Sequence, residues 1–420
     1  MKKLSKNKQL IGLMIITLMF KLILLVVSSN SQSMNLGWGG FQFMNPDEEG
    51  NFNIAINYLE NNKYSINGRL TSFHGSFTVF VYKFLIENEL SKYWYIIFYH
   101  VLSIIIFVIS IPFFYNLSFK LSNHTIISMF STILYCFYPS NLIFIGNIFT
   151  YEKFVLPLLI INFSLLFNLV KSNEYNILIF LIPLTLTLSC LLRAQVIIIY
   201  SVIFIFFIFY SVFYIKKHKL KIIFWVLTFI IVIVNSISHI PILIKNHNMF
   251  GSYILSTQLG FELMQGHNDL ARGSWNPGIH YDNYSREKIP NLANLNEHEI
   301  SLERKIFAVN WLKNNPFKEL ELIIRKTAIF LLPRNYEAGF NPINIFVHFC
   351  FLWGVALTVI RRKFDSTSFL IVSPILGVYI LSIIFFVGFR WRYYAEPFFI
   401  LLALYQILEY AYDKQWLRRK

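Results

Sequence analysis

Asp47, Glu48 and Glu49 stand in a row in NPDEEGNF, residues 45–52, in a chain whose 420 residues include only 22 Asp and Glu. A carboxylate beside an attacking hydroxyl can take its proton. One held at a helix N-terminus stays ionised, because the helix dipole favours the anion. The same residues also make a good helix start. Asn45 is a preferred cap, Pro46 suits the first helical position, and Glu48 stands three after Asn45 as in a capping box. Phe52, Ala55, Ile56 and Leu59 then recur at helical spacing. The two readings are compatible, since a cap would hold a base in its working form.

Other charged residues stand alone among apolar neighbours: Glu152 in NIFTYEKF, Arg193 in CLLRAQV, and Arg390, Arg392 and Glu396 in GFRWRYYAEPFF. Each has a local explanation. Glu152 can serve a helix dipole, Arg193 can anchor at an interface, and Arg392 and Glu396 can pair at i,i+4. Ionisable residues gathered at one membrane face are nonetheless functional candidates. Cys136, Cys190 and Cys350 all lie in apolar runs and suggest neither a disulfide framework nor a metal site. The sequence contains no CxxC, HExxH, P-loop or GxGxxG pattern.

The elements that must position these residues are membrane helices. The chain is 56% hydrophobic and 14% charged, with a mean hydropathy of +0.53; soluble domains carry about 25% charged residues. Ten apolar segments, at about 9–28, 93–115, 124–139, 151–170, 177–192, 195–214, 221–240, 343–360, 367–388 and 394–411, approach the span length of about 20 residues. The first reads as an uncleaved anchor, its apolar run being longer than that of a signal peptide. With the N-terminus in the cytoplasm, the cation-rich stretches fall inside. They hold Lys2, Lys3, Lys6 and Lys8, then Lys216, Lys217, Lys219 and Lys221, then Arg361, Arg362 and Lys363, and finally Arg418, Arg419 and Lys420. The net charge of +15 is therefore mostly a positive-inside signal and does not indicate nucleic acid.

Two segments, about 29–92 and about 241–342, fall outside and are too long to be simple connections. They place the chemistry on the extracytoplasmic face. The first reads as helices near 46–62 and 77–90. The second contains a helix near 297–314 whose apolar face, Ile300, Phe307, Ala308, Trp311 and Leu312, could lie on the membrane, on the other segment or on the bundle. Lys21 lies within the first span and is expected to snorkel outward.

Carboxylates opposed by arginines at headgroup level suit one reaction, the transfer of a sugar from a polyprenyl phosphate to a hydroxyl. The leaving group is already a phosphate, so it needs cations, and arginine grips phosphate bidentately. Asp47, Glu152 and at least one of Arg193, Arg390 and Arg392 should then line one cavity. A gap of roughly 6–12 Å, several ion-pair lengths, should separate arginine from carboxylate.

NPDEEGNFNIAINYLENNKY resembles the acidic motif in the first outer loop of the polyprenyl-phosphate-dependent GT-C glycosyltransferases, the protein O-mannosyltransferases, lipid A aminoarabinose transferases and their bacterial relatives. HGSFTVFVYKFL resembles their His-Pro-Pro stretch, with Gly75 and Ser76 in place of the prolines. IGNIFTYEKFVLPLLI resembles the segment with a second acid. The turn Gly266, His267 and Asn268, the stretch ERKIFAVNWLKNNPFKELELIIRK and FRWRYYAEP are similar to later family segments in the same order. The resemblance implies an all-α polytopic bundle of about ten transmembrane helices, one domain over 1–420, with two folded extracytoplasmic segments. It implies an inverting glycosyltransferase in the bacterial plasma membrane. Asp47 would be the base and Glu48 its acidic partner, and Glu152, Arg193, Arg390, Arg392 and His74 would bind substrate. The partners would be a polyprenyl-phosphate sugar, membrane lipids and a glycan, lipid or protein acceptor. Some members of the family bind a divalent metal and others need none; Asp47, Glu48 and Glu152 could offer it oxygens.

Two rivals share this topology. A flippase for a lipid-linked sugar would place charges near the bilayer midplane and show repeats or broken helices. An O-antigen ligase or polymerase would lean on arginines in its large outer loop and tolerate loss of Asp47.

Overall fold

The computed structural model describes residues 2–30, 46–66, 69–72, 76–88, 92–138, 151–171, 177–215, 218–274, 279–332, 334–335, 339–340, 342–361 and 365–413. The described chain is helical apart from two short hairpins, β1 (Ser65–Ile66) with β2 (Arg69–Leu70) and β3 (Arg334–Asn335) with β4 (Gly339–Phe340). The helices are α1 (Lys2–Asn30), α2 (Pro46–Asn61), α3 (Ser76–Glu87), α4 (Lys92–Ser122), α5 (Thr125–Phe137), α6 (Glu152–Lys171), α7 (Ile182–Leu192), α8 (Val196–Tyr214), α9 (His218–Phe250), α10 (Gln258–Gly266), α11 (Tyr281–Lys288), α12 (Glu297–Asn314), α13 (Pro316–Leu331), α14 (Pro342–Arg361), α15 (Ser366–Ile384), α16 (Phe389–Arg392) and α17 (Glu396–Asp413).

Each of the ten apolar segments is helical, and the chain is an all-α membrane protein. Among the described residues, six helices are long and apolar enough to cross a membrane: Lys8–Val26, His100–Ser122, Glu152–Lys171, Val196–Tyr214, His218–Phe250 and Ser366–Ile384, so the expected count of about ten spans is met only in part. Three more apolar helices are shorter. The tenth, α17, carries Glu396, Glu409 and Asp413. At 33 residues, α9 runs through Pro241 and ten residues into what the sequence assigned to the second long segment. At about 1.5 Å per residue it exceeds the roughly 30 Å hydrocarbon core, so part of it projects beyond the bilayer.

α6 is the central helix, with 94% of its apolar window buried, whereas the window of α1 is 11% buried and faces outward. α6 packs on α4 and α7, α8 on α15, and α14 on α17. Aromatic rings fill the centre, with Phe163 edge-on to Phe207 and Phe398. Lys21 does not snorkel. It is buried among α1, α4 and α5, with Nζ 3.8 Å from the centre of the Phe107 ring, because α1 turns this residue toward the bundle and the ring face offers the cation an electrostatic partner.

Helices α2, α3 and α12 lie close to the positions their sequence patterns predict. α12 begins with a full capping box. The Asn296 side chain accepts the Glu299 N–H at 3.0 Å, and the Glu299 carboxylate accepts the Asn296 N–H at 2.8 Å. Its apolar face packs on α10 of its own segment, not on the membrane or the bundle. Ile300 and Phe307 close over Met264, Tyr284, Ile289 and Leu292. Glycine permits this crossing, since a Cβ on Gly260 would lie 1.8 Å from the Ser301 carbonyl oxygen.

Both long segments fold at the same end of the bundle and are joined there. Glu297 of α12 accepts the Ser72 N–H at 2.9 Å and the Thr257 hydroxyl, while the Thr257 N–H donates to Ser72 O at 3.3 Å. The second segment also grips the end of α15. His267 contacts Ile384 O at 2.7 Å, and Lys326 donates to Ile383 O at 2.8 Å. Terminal helix carbonyls lack intrahelical donors, and a lysine answers both the missing bond and the dipole. Gly266 allows the approach, as a Cβ there would lie 1.8 Å from Phe385 O.

Candidate active site

Glu152 is the first residue of α6 and is wholly buried. The helix dipole favours an acid there, but burial of a carboxylate costs several kcal/mol unless a cation compensates it. Arg193 is that cation. It stands in extended conformation just after α7, with its N–H on Ser189 O at 3.0 Å. The three-residue break between α7 and α8, Arg193, Ala194 and Gln195, lets its guanidinium reach the Glu152 carboxylate in direct contact.

The expected open gap between arginine and carboxylate is therefore absent for this pair. In a low dielectric, with no bound anion, each charge is the other's compensation. Only one Glu152 oxygen is engaged. Oε2 is buried and has no hydrogen-bond partner among the described residues.

Arg193 also stacks over Trp391 of α16, 5.4 Å from the ring centre to the guanidinium carbon. Burial alone would lower its pKa, but Glu152, Tyr394, Glu262 and Tyr151 together raise it above the ordinary arginine value, so it stays charged. Glu262 comes from α10. It accepts from Gln258 at 2.7 Å, and Gln258 accepts from Gln195, the neighbour of Arg193, at 3.3 Å. The second long segment thus reaches down to the break that carries the arginine.

A second buried pair lies next to the first. Arg392 Nε is 3.7 Å from Glu396 Oε1, both side chains being almost inaccessible, and Arg392 donates to Leu332 O at 2.5 Å. The i,i+4 reading of this pair holds, but in the interior and not on a solvated face. Tyr393 sits between the two pairs. Burial first, then Tyr135, Glu396, Tyr394 and Glu152, push its hydroxyl well above the usual range.

The structure therefore brings Glu152, Arg193, Arg392 and Glu396 into one neighbourhood where α6, α7, α8, α10, α16 and α17 converge. Asp47 and Glu48 fall in the first turn of α2, as the cap pattern requires; the placement of their side chains lies outside the described residues. Arg390 belongs to α16, and its side chain likewise lies outside them, as does the whole of His74.

Several nearby groups were not singled out from sequence. Lys153 Nζ lies 3.2 Å from His100 Nδ1, both buried, and Glu262 is buried above Arg193. Lone ionisable residues in GFELM and IIFYHVL offered the only signal, and their partners come from distant helices. His267, in the turn singled out by its family resemblance, bonds Glu319 at 2.9 Å and the α15 carbonyl, which is a structural role.

Chemically, the neighbourhood is two buried guanidinium groups, each held by its own carboxylate. A phosphate would meet two guanidinium groups that already hold carboxylates. A divalent cation at Glu152 would sit against the Arg193 guanidinium, so this part of the acidic set does not suit a metal. No protein-family model, no curated protein and no solved structure matches the chain.

Proposed function

We propose that the protein is a membrane glycosyltransferase that moves a sugar from a polyprenyl phosphate to an acceptor hydroxyl. The observation that carries this reading is the buried Glu152–Arg193 pair, whose second carboxylate oxygen has no hydrogen-bond partner among the described residues, beside the Arg392–Glu396 pair, at the end of the bundle where both long segments fold. The motif resemblance around Asp47 and Glu152 agrees with it, and the positive-inside charge pattern supports an extracytoplasmic position for this end.

In this reading Asp47 takes the proton of the acceptor hydroxyl, whose oxygen attacks the anomeric carbon. The bond from that carbon to the phosphate oxygen breaks, and its electron pair leaves with the phosphate. Arg193, exchanging Glu152 for phosphate, stabilises the charge that develops there. Inversion at the anomeric carbon follows from the single displacement. Glu48, His74, Arg390 and Arg392 complete the binding groups, and no metal is needed for this step.

Binding of the product lipid tests the assignment. Native mass spectrometry of the protein released from detergent should show retained polyprenyl phosphate. Arg193→Gln should weaken retention by about tenfold or more, as expected for loss of a charge-assisted contact. Equal retention by both proteins would remove Arg193 from the site.

A flippase is the second reading. Buried Lys21, inside α1 and away from the long segments, is the kind of intramembrane charge that transporters use. Lipid-linked sugar that crosses a vesicle bilayer unchanged would favour it.

A further inference from the structure

Helix α13 has three faces. Leu322, Lys326 and Phe330 are buried, and this face packs on the bundle. Phe330 is edge-on to Tyr379 of α15 at 5.4 Å and to Phe399 of α17 at 5.9 Å, while the Thr327 and Tyr379 hydroxyls share a 2.7 Å hydrogen bond. Tyr379 lies within a helix apolar enough to cross the membrane, so the second half of α13 is level with the last turns of that helix.

The second face is apolar and bare. Phe317 is 86% exposed, Leu320 56% and Ile324 61%. At about 100° per residue they form one stripe, which Ala328 extends. The third face is charged, with Lys318, Glu321 and Arg325, the last two paired at 2.5 Å. A helix that buries one side on protein and divides the rest sharply into apolar and charged halves has the pattern of an interfacial helix. Leu332, just past α13, and Ile343, Phe346 and Phe349 at the start of α14 are also apolar and exposed.

We propose that α13 lies in the membrane interface on the side where the long segments fold, with Phe317, Leu320 and Ile324 inserted among the acyl chains of that leaflet. The occupant of the stripe is lipid, because the buried face of the same helix packs on Tyr379 of α15, a helix apolar enough to cross the membrane, which puts α13 at bilayer level. Through Lys326 on Ile383 O, and through Glu319 on His267, the inserted helix holds the end of α15, from which the chain leads to α16 and Arg392.

The test uses the full chain in nanodiscs, with Cys350 replaced by Ala; Cys136 and Cys190 are buried. Bimane is attached in turn to Phe317→Cys, Ile324→Cys and Glu321→Cys, all exposed positions where substitution rarely prevents folding. Bilayers of chain-brominated phosphatidylcholine should quench the labels at 317 and 324 by roughly half or more and leave 321 much less affected. Equal quenching at the three positions would overturn the proposal. So would ready reaction of the 317 and 324 cysteines with a membrane-impermeant maleimide. A disulfide between two copies through 317, without bromine quenching, would assign the stripe to a second copy and equally contradict it. If the 317 protein fails to fold, Leu320→Cys reads the same face.

Discussion

Glu152 and Glu297 are two carboxylates drawn out of water at the same end of the molecule, and they are satisfied in opposite ways. Glu297 is half-buried and meets neutral donors, the Ser72 N–H and the Thr257 hydroxyl, both fixed parts of the two long segments. It behaves as a clasp. Glu152 is fully buried, meets a cation, and keeps one oxygen without a partner among the described residues. Hydrogen bonds to neutral backbone build structure that a ligand gains nothing by breaking. A buried ion pair with spare acceptor capacity costs the fold more and can exchange its partner for an incoming anion. The comparison separates a residue that joins the two long segments from one whose role the proposed function would require.

Breaking the pair on one side should have the largest effect. Arg193→Leu leaves the Glu152 carboxylate buried without its cation and should cost about 3–5 kcal/mol of stability, read by thermal unfolding in detergent. Adding Glu152→Leu to it should restore most of that stability, since two apolar side chains need no compensation. Polyprenyl phosphate binding should stay lost in the double variant. Recovery of binding would make the pair structural and erase the contrast with Glu297.

The clasp should respond differently. Glu297→Ala should cost about 1–3 kcal/mol, from the Ser72 donor left partly buried and unpaired. Limited proteolysis should then cut the second segment sooner, with lipid phosphate binding changed little. Gly260→Ala tests the same unit. Its Cβ must displace the Ser301 backbone and should cost about 1–3 kcal/mol, appearing as faster proteolysis between α10 and α12.

The smallest effect concerns pH. Burial lowers Lys326 to about 8, Glu319 acting weakly the other way. The unfolded chain, with an ordinary lysine pKa of about 10.4, binds more protons between those two values. The penalty is full below the folded value and fades as pH rises, so stability should increase with pH across that window. Lys326→Gln should flatten this slope in thermal unfolding followed between pH 7 and 10. An unchanged slope would show that Lys326 is not the titrating group.

Much of the fold was legible because helix periodicity and capping are local. Asn296 with Glu299, Pro316, and the apolar stretch of each long helix announce their elements directly. The site was legible only as separate residues. That Arg193 belongs with Glu152 depends on a three-residue break between α7 and α8 facing the start of α6, which no local pattern records. The α12 face was readable, but its partner was not, because Gly260 on α10 decides the packing by what it lacks. Lys153 and Glu262 were passed over for a similar reason: a lone charge carries no sign of the distant helix that will meet it.

Sugar transfer with Asp47 as base can be read directly by mass spectrometry of polyprenyl-phosphate sugars incubated with the full-length protein in nanodiscs and an extract of candidate acceptors, with and without Asp47→Asn. The unaltered protein should convert at least one such donor to free polyprenyl phosphate with a matching gain of sugar on an acceptor. Asp47→Asn should still bind the lipid phosphate and produce neither product. Full turnover by Asp47→Asn, or intact donors throughout with the unaltered protein, would contradict it.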